Sequence, residues 1–168
     1  MEENLDAVIV ELSQTISANP NDADGYINRA KEYGKDGDFD KAIADCSLAI
    51  QIDRNKYAPY VLRGVMYKKK GDYNNAITDI SHALKLNSDN LFYYTLRGAM
   101  YKLKGDYDEA IADFSQAIQI EPKYGDAYRN RSIAYKKKGK YLKAIADHFA
   151  GMKYYLNAGY PKLEDVDW

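Results

Sequence analysis

The sequence predicts an all-α fold made of four tandem helix–turn–helix repeats, and three observations predict it. A tyrosine followed three residues later by an arginine recurs every 34 residues, first at Tyr26 and Arg29. Within each block, tyrosines and small residues recur at i, i+4 and i+7, the spacing of one helix face. A glycine near the middle of each block suits the end of a first helix, where left-handed backbone is needed. A fixed period of this length is typical of arrays in which each repeat packs on its neighbours.

Residues 1–22 read as half a repeat that precedes the array. Val8, Leu12 and Thr15 occupy the positions of inward-facing residues in the second helix of the third repeat. The sequence therefore predicts a helix over Leu5–Ala18 that covers the first full repeat, because a repeat cannot bury its apolar face alone. The full repeats are predicted at 23–56, 57–90, 91–124 and 125–158, with a short acidic tail at 159–168.

Each repeat reads as two helices joined by a glycine and a capping residue. In the second repeat, Tyr60, Gly64 and Tyr67 share one face of the first helix. Gly71 follows at the position where a positive φ costs glycine least, and Asp72 suits the N-cap of the second helix. Asp38 and Asp106 occupy the same position in other repeats and are expected to cap too, and Pro122 closes one second helix.

The fourth repeat departs from this pattern at one position. Lys140 stands where the other repeats carry aspartate. Because lysine offers no oxygen to the unpaired N–H groups of a helix N-terminus, we expect the turn of this repeat to be the least well held.

The combined pattern of Tyr, a small residue, Tyr, Gly-Asp-aromatic and Ala-Ile at period 34 resembles the tetratricopeptide repeat (TPR) over residues 23–158. The resemblance implies a right-handed α-solenoid of antiparallel helix pairs, whose first helices line a concave groove. In that family the groove usually binds peptides or protein segments. The repeats are mostly not catalytic, and the resemblance implies no cofactor. We therefore expect a non-enzymatic scaffold, although fold alone does not fix a cellular role.

The resemblance also assigns residues to the groove. Its middle is expected to be apolar and one rim basic, which favours an acidic, partly apolar protein or peptide as partner; the alternative is that these side chains pack against neighbouring helices. The assigned residues are Ile27, Asn28, Lys31, Val61, Leu62, Val65, Lys68, Lys69, Phe92, Leu96, Lys102, Leu103, Arg129, Asn130, Ile133 and Lys136.

One subset of the family clamps the C-terminal carboxylate of heat-shock chaperones. It needs Lys, Asn, Asn, Lys and Arg at five groove positions, which here hold other residues. Binding of a chaperone tail is therefore not expected. The five residues at these positions are Ile27, Lys31, Leu62, Phe92 and Leu96.

Composition excludes several classes of protein. No apolar stretch reaches the length of a membrane helix and the N-terminus does not resemble a secretory signal, so a cytoplasmic location is the default expectation. The net charge of −1 combines a body of +6 over residues 23–158 with acidic ends. Without an arginine-rich tract, that balance argues against binding to nucleic acid.

Catalytic and metal sites are not expected either. Cys46 is the only cysteine, and with His82 and His148 it provides too few ligands for a Cys/His zinc site. Cys46 and His148 occupy the same position in the first and fourth repeats, so stacked repeats would hold them too far apart for a dyad.

Arginine and aspartate recur at fixed positions in all four repeats, as Arg63 and Asp79 do in the second. We interpret them as structural pairs that join the two helices of a repeat, because a guanidinium matches a carboxylate with two hydrogen bonds. A phosphate-binding role for the arginines is the alternative.

The tail leaves three alternatives open. It carries Leu163, Val166 and Trp168 among acidic residues, and it follows a helix with an apolar surface. The tail could fold over this end of the array, two chains could share the end as a homodimer, or the tail could enter the groove of a neighbouring chain. The leading hypothesis for the whole chain remains a scaffold for a protein segment, and the runner-up is an assembly module that self-associates through apolar ends or its groove.

Overall fold

The structure is a computed structural model that describes residues 5–157 and the side chains of residues 6–154. Within these residues the chain forms nine α-helices and no strand, which confirms the predicted all-α class. The predicted packing of the tail lies outside the described residues. The helices are α1 (Leu5–Ala18), α2 (Ala23–Asp36), α3 (Phe39–Ile52), α4 (Tyr57–Lys69), α5 (Tyr73–Leu86), α6 (Leu91–Lys104), α7 (Tyr107–Ile120), α8 (Gly125–Lys137) and α9 (Tyr141–Asn157).

The chain divides into two compact units. The first extends to Ser88 and contains α1 to α5, and the second starts at Asp89 and contains α6 to α9. Within a repeat, two or three residues connect the helices, so the two helices of a pair run antiparallel. The helix predicted at Leu5–Ala18 is present as α1 and packs against α2.

A glycine in the left-handed conformation ends the first helix of every repeat. Gly37 has φ 84° and Gly105 has φ 95°, values that a residue with a Cβ rarely adopts. The N–H of the next residue, Asp38 in the first repeat, donates to the carbonyl of Tyr33 at 2.9 Å, as in a Schellman turn. Lys140 makes the same bond to the carbonyl of Tyr135 in the fourth repeat, so the backbone closes that turn as it closes the others.

The aspartates that follow these glycines do not all cap the second helix. Asp38 and Asp72 each accept a hydrogen bond of 3.2 Å from the backbone N–H three residues later, as predicted. The side chain of Asp106 makes no such bond. Its Oδ2 lies 2.8 Å from Nζ of Lys104, and this ion pair draws the carboxylate away from the helix terminus. The predicted cap at Asp106 is therefore wrong.

The core of the first unit joins its repeats through α2, α3 and α4. Leu62 of α4 packs against two buried clusters, which fixes α4 against both helices of the first repeat. Each cluster contains the small residues that let the helices approach closely. The clusters are Ala30, Ala42, Cys46 and Met66, and Ala23, Ile27 and Ala49.

The core of the second unit is centred on Phe114 of α7. Its side chain is fully buried against Ala110 and Ala134, and Tyr101 packs at the edge of the cluster. Because these residues come from α6, α7 and α8, the cluster joins the third repeat to the fourth. At the end of the unit α8 and α9 also lie close together, since a Cβ added at Gly151 would be 3.3 Å from a backbone oxygen of α8.

Candidate ligand-binding faces

In the first unit, the residues that the family resemblance assigns to the groove lie on α2 and α4, two helices in contact. Asn28, Lys31 and Lys69 are exposed, and the amine of Lys31 lies 3.2 Å from the side-chain oxygen of Asn28. The other assigned residues are half-buried or buried. The α2/α4 face consists of Ile27, Asn28, Lys31, Val61, Leu62, Val65, Lys68 and Lys69.

Most of the apolar residues assigned to this face are used for packing. Ile27 is only 4% exposed because it packs with Ala23 and Ala49, so it is a core residue with no accessible side chain. Leu62 and Val65 are half-buried against the same core. The alternative reading of the sequence, packing against neighbouring helices, therefore describes this part of the assignment best.

The second unit presents a different surface on α6 and α8, which also contact each other. Phe92 is 63% exposed, Leu103 50% and Ile133 40%, while Leu96 is half-buried. Large apolar side chains are thus accessible here. The α6/α8 face consists of Phe92, Leu96, Lys102, Leu103, Arg129, Asn130, Ile133 and Lys136.

Tyr124 supports the ring of Phe92. The two ring centroids are 6.0 Å apart and the rings meet edge to face at 76°, a favourable arrangement for aromatic pairs. Tyr124 immediately precedes α8, where the earlier repeats carry Asp22, Lys56 and Asn90. Sequence reasoning missed Tyr124, although an aromatic at a position that is polar in every other repeat could have indicated it.

A hydrogen bond joins the two helices of this face, and a second one orients the side chain that accepts it. Nζ of Lys102 donates to the side-chain oxygen of Asn130 at 2.6 Å, and the amide of Asn130 donates to the carbonyl of Asp126 at 2.9 Å. Arg129 and Lys136 remain exposed on α8 beside the apolar side chains. The α6/α8 face therefore combines accessible apolar groups with positive charge.

The predicted arginine–aspartate pairs are present in all four repeats. In the second, Nε and Nη2 of Arg63 donate to the two oxygens of Asp79 at 2.8 and 2.7 Å. Nη1 of Arg63 also donates at 2.9 Å to Ser47 of the preceding repeat. The hydrogen bonds to Asp79 raise the pKa of Arg63. Since every one of these guanidinium groups donates two hydrogen bonds to its aspartate, the structural interpretation accounts for the four arginines.

Neither residue of the Cys46 and His148 pair resembles a nucleophile and its base. Cys46 is fully buried, and burial raises the pKa of its thiol to about 12, so the thiol stays protonated at neutral pH. His148 is exposed on α9. Among the described residues there is also no group of three or more His, Cys, Asp or Glu side chains placed to hold a metal ion.

No helix in the described part of the chain has both the length and the apolar character needed to cross a bilayer.

Three family models match the chain, two described as tetratricopeptide repeat and one as TPR repeat. They cover residues 23–56, 57–90 and 98–139. The chain belongs to the tetratricopeptide repeat family. The first two matches begin and end at the predicted bounds of the first two repeats. No curated protein sequence matches the chain significantly.

Solved structures of MamA have the same fold. One crystal structure is superimposed with a TM-score of 0.88 at 23% identity, covering 94% of this chain and 92% of that one. Residues 41 to the end of MamA from Desulfovibrio magneticus RS-1 give a TM-score of 0.87 at 13% identity, with coverage of 93% and 88%. At these identities the likeness concerns the fold, and it confirms the predicted α-solenoid class of a TPR chain.

Proposed function

We propose that the protein is a non-catalytic scaffold whose α6/α8 face binds an acidic, partly apolar segment of another protein. The observation that carries this proposal is the exposure of Phe92, Leu103 and Ile133 beside Arg129 and Lys136. Tandem repeats of this family act as protein-interaction modules, which supports the general role. The α6/α8 face supplies the chemistry of the ligand.

Burial of the apolar side chains would provide most of the affinity. Covering one large apolar side chain contributes about 1.5–3 kcal/mol. Tyr124 holds the ring of Phe92 in place before a ligand arrives, which lowers the entropic cost of binding.

The charges would select the sequence of the ligand. Arg129 and Lys136 lie on one side of α8, seven residues apart, so acidic residues spaced along an extended or helical segment could approach both. Exposed charges of this kind mainly set specificity and association rate, and salt weakens their effect.

A peptide library tests the proposal. Wild-type protein is screened against segments that interleave Asp or Glu with Leu or Phe, and against the same segments with Lys in place of the acids. We expect selection of the acidic set. Phe92→Ala should weaken binding of a selected peptide by about tenfold or more, since tenfold corresponds to about 1.4 kcal/mol.

Ile120→Ala is the matched control, because Ile120 is 39% exposed at the end of α7 and outside the face. It should leave the affinity unchanged. Selection of the lysine set, or equal affinity of wild type and Phe92→Ala for every selected peptide, would show that the α6/α8 face is not the binding surface.

A further inference from the structure

One face of the last helix, α9, is apolar and exposed among the described residues. Four of its side chains, from Leu142 to Met152, recur every three or four positions, so they share one side of the helix, and Tyr141 lies at the edge of that side. Their exposed fractions are far above those of core residues in the same unit. This α9 face consists of Tyr141 (62%), Leu142 (85%), Ile145 (53%), Phe149 (65%) and Met152 (36%).

The same positions in α3 and α7 carry groups that bind the following repeat. Leu142 stands where α3 has Asp40 and α7 has Asp108. These aspartates form ion pairs with Lys70 and Lys138, respectively, which follow α4 and α8. Leucine can form no such pair, so α9 lacks a contact that α3 and α7 make with the repeat after them.

Phe149 shows the same change. It stands where α3 has Ser47 and α7 has Ser115. Both hydroxyls accept a hydrogen bond of 2.9 Å from an arginine of the next repeat, Arg63 and Arg131. Since two positions that are polar in the inner helices are apolar here, the α9 face suits an apolar occupant and not a further repeat of the same kind.

We propose that residues 158–168 of this chain pack on the α9 face. The segment contains Leu163, Val166 and Trp168, which can supply the missing apolar contacts, and three acidic residues against one lysine. α9 also carries two lysines, Lys143 and Lys153, whose amines lie over the rings of Tyr135 and Tyr154.

The charges on α9 itself favour an acidic occupant. Its single acid, Asp147, is bound by the guanidinium of Arg131 at 2.7 and 2.8 Å, and it is buried. Two α9 helices placed face to face would bring the lysines of both copies together, whereas the acidic segment complements them.

The segment is long enough to cover the face in its own chain. Eleven residues span up to about 36–40 Å when extended, and Leu142 lies about 22 Å along the helix from Asn157. Attachment to α9 also gives the segment an effective concentration on the order of millimolar, so that even a weak contact is populated. Packing of the segment on α9 does not require peptide binding at the α6/α8 face.

Trp168 allows a direct test, because it is the single tryptophan of the chain. In the full chain its emission should be blue-shifted, and its quenching by acrylamide severalfold weaker, relative to a synthetic peptide of residues 158–168. Phe149→Ser places the serine of α3 and α7 in the α9 face and should shift emission and quenching toward those of the peptide. Both signals should be independent of protein concentration.

Phe92→Ser is the matched control, since Phe92 and Phe149 are similarly exposed, at 63% and 65%. It should leave the tryptophan signal unchanged, and circular dichroism should show that both variants keep the helicity of the wild type. Free-peptide emission in the wild type would overturn the proposal. The proposal would also be overturned if Phe92→Ser, and not Phe149→Ser, shifted the Trp168 signal toward that of the free peptide. That result would place the segment on the α6/α8 face. Protection that appears only as concentration rises would assign the α9 face to the segment of a second copy.

Discussion

At the scale of single residues, the volumes of two facing side chains are complementary in three of the helix pairs. Where the second helix carries a large buried residue, the first helix carries glycine. A Cβ added at Gly98 would lie 2.9 Å from the ring of Phe114, and one at Gly64 would lie 3.0 Å from Ile80. Smaller partners allow larger residues on the first helix. The three combinations are Ala30 with Cys46, Gly64 with Ile80, and Gly98 with Phe114. In the fourth pair, His148 stands at this position but is exposed.

Gly98→Ala should destabilise the protein. The fully buried ring of Phe114 has nowhere to move, and overpacking of this kind costs about 1–3 kcal/mol. The gain in helix propensity, about 1 kcal/mol, offsets part of that cost. We expect a net loss of up to about 2 kcal/mol, measured by urea denaturation.

The same substitution in a Phe114→Cys variant checks this explanation, because it places alanine opposite cysteine, as Ala30 and Cys46 are in the first repeat. There Gly98→Ala should stabilise by about 1 kcal/mol, since only the propensity term remains. If Gly98→Ala had the same effect on stability in both backgrounds, contact with Phe114 would not be the reason that position 98 requires glycine.

The dependence of one side chain on the volume of its partner also limits what the sequence predicts about single residues. The 34-residue period and the helical spacing follow from regular backbone geometry, so the sequence identified which positions face a neighbouring helix. Exposure depends on which side chains stand opposite. Ile27 is buried because Leu62 and Ala49 meet it, whereas Ile133 on the α6/α8 face remains 40% exposed.

At the scale of elements, the turn between paired helices combines a fixed backbone with a variable cap. The left-handed glycine and the bond to the tyrosine carbonyl occur in every repeat. The carboxylate cap occurs at Asp38 and Asp72 only, of the three aspartates predicted to form it. The sequence predicted the position of the turn, but it did not predict the ion pair with Lys104 that the Asp106 carboxylate forms instead of a cap.

Asp72→Ala should therefore cost more stability than Asp106→Ala. Loss of an N-cap typically destabilises a protein by about 1 kcal/mol. Asp106 has no cap bond to lose, and its exposed pair with Lys104 contributes about 0–1 kcal/mol at most. Denaturant unfolding of the two alanine variants measures the difference. A larger effect of Asp106→Ala than of Asp72→Ala would show that the carboxylate of Asp72 does not stabilise its helix as an N-cap.

At the scale of the whole molecule, the arginine–aspartate pairs recur in all four repeats. Each pair joins the two helices of one repeat, and at Arg29, Arg63 and Arg131 the same guanidinium also reaches a serine of the preceding helix. The four aspartates are the buried charged residues of the described chain. Because these hydrogen bonds lie within one repeat or join it to the helix just before it, the contribution of each pair should be local, as expected for a repeat array.

Removing one partner of the last pair tests this locality. Arg131→Met leaves the carboxylate of Asp147, which is 7% exposed, without its cation, and should destabilise by about 3–5 kcal/mol. Arg131→Met combined with Asp147→Leu removes both charges and should recover most of that loss. Amide hydrogen exchange should accelerate in α8 and α9 of the single variant and stay at wild-type rates in α2 and α3, since repeats can open locally. Equal acceleration throughout α2, α3, α8 and α9 would instead show that the array unfolds as one cooperative body.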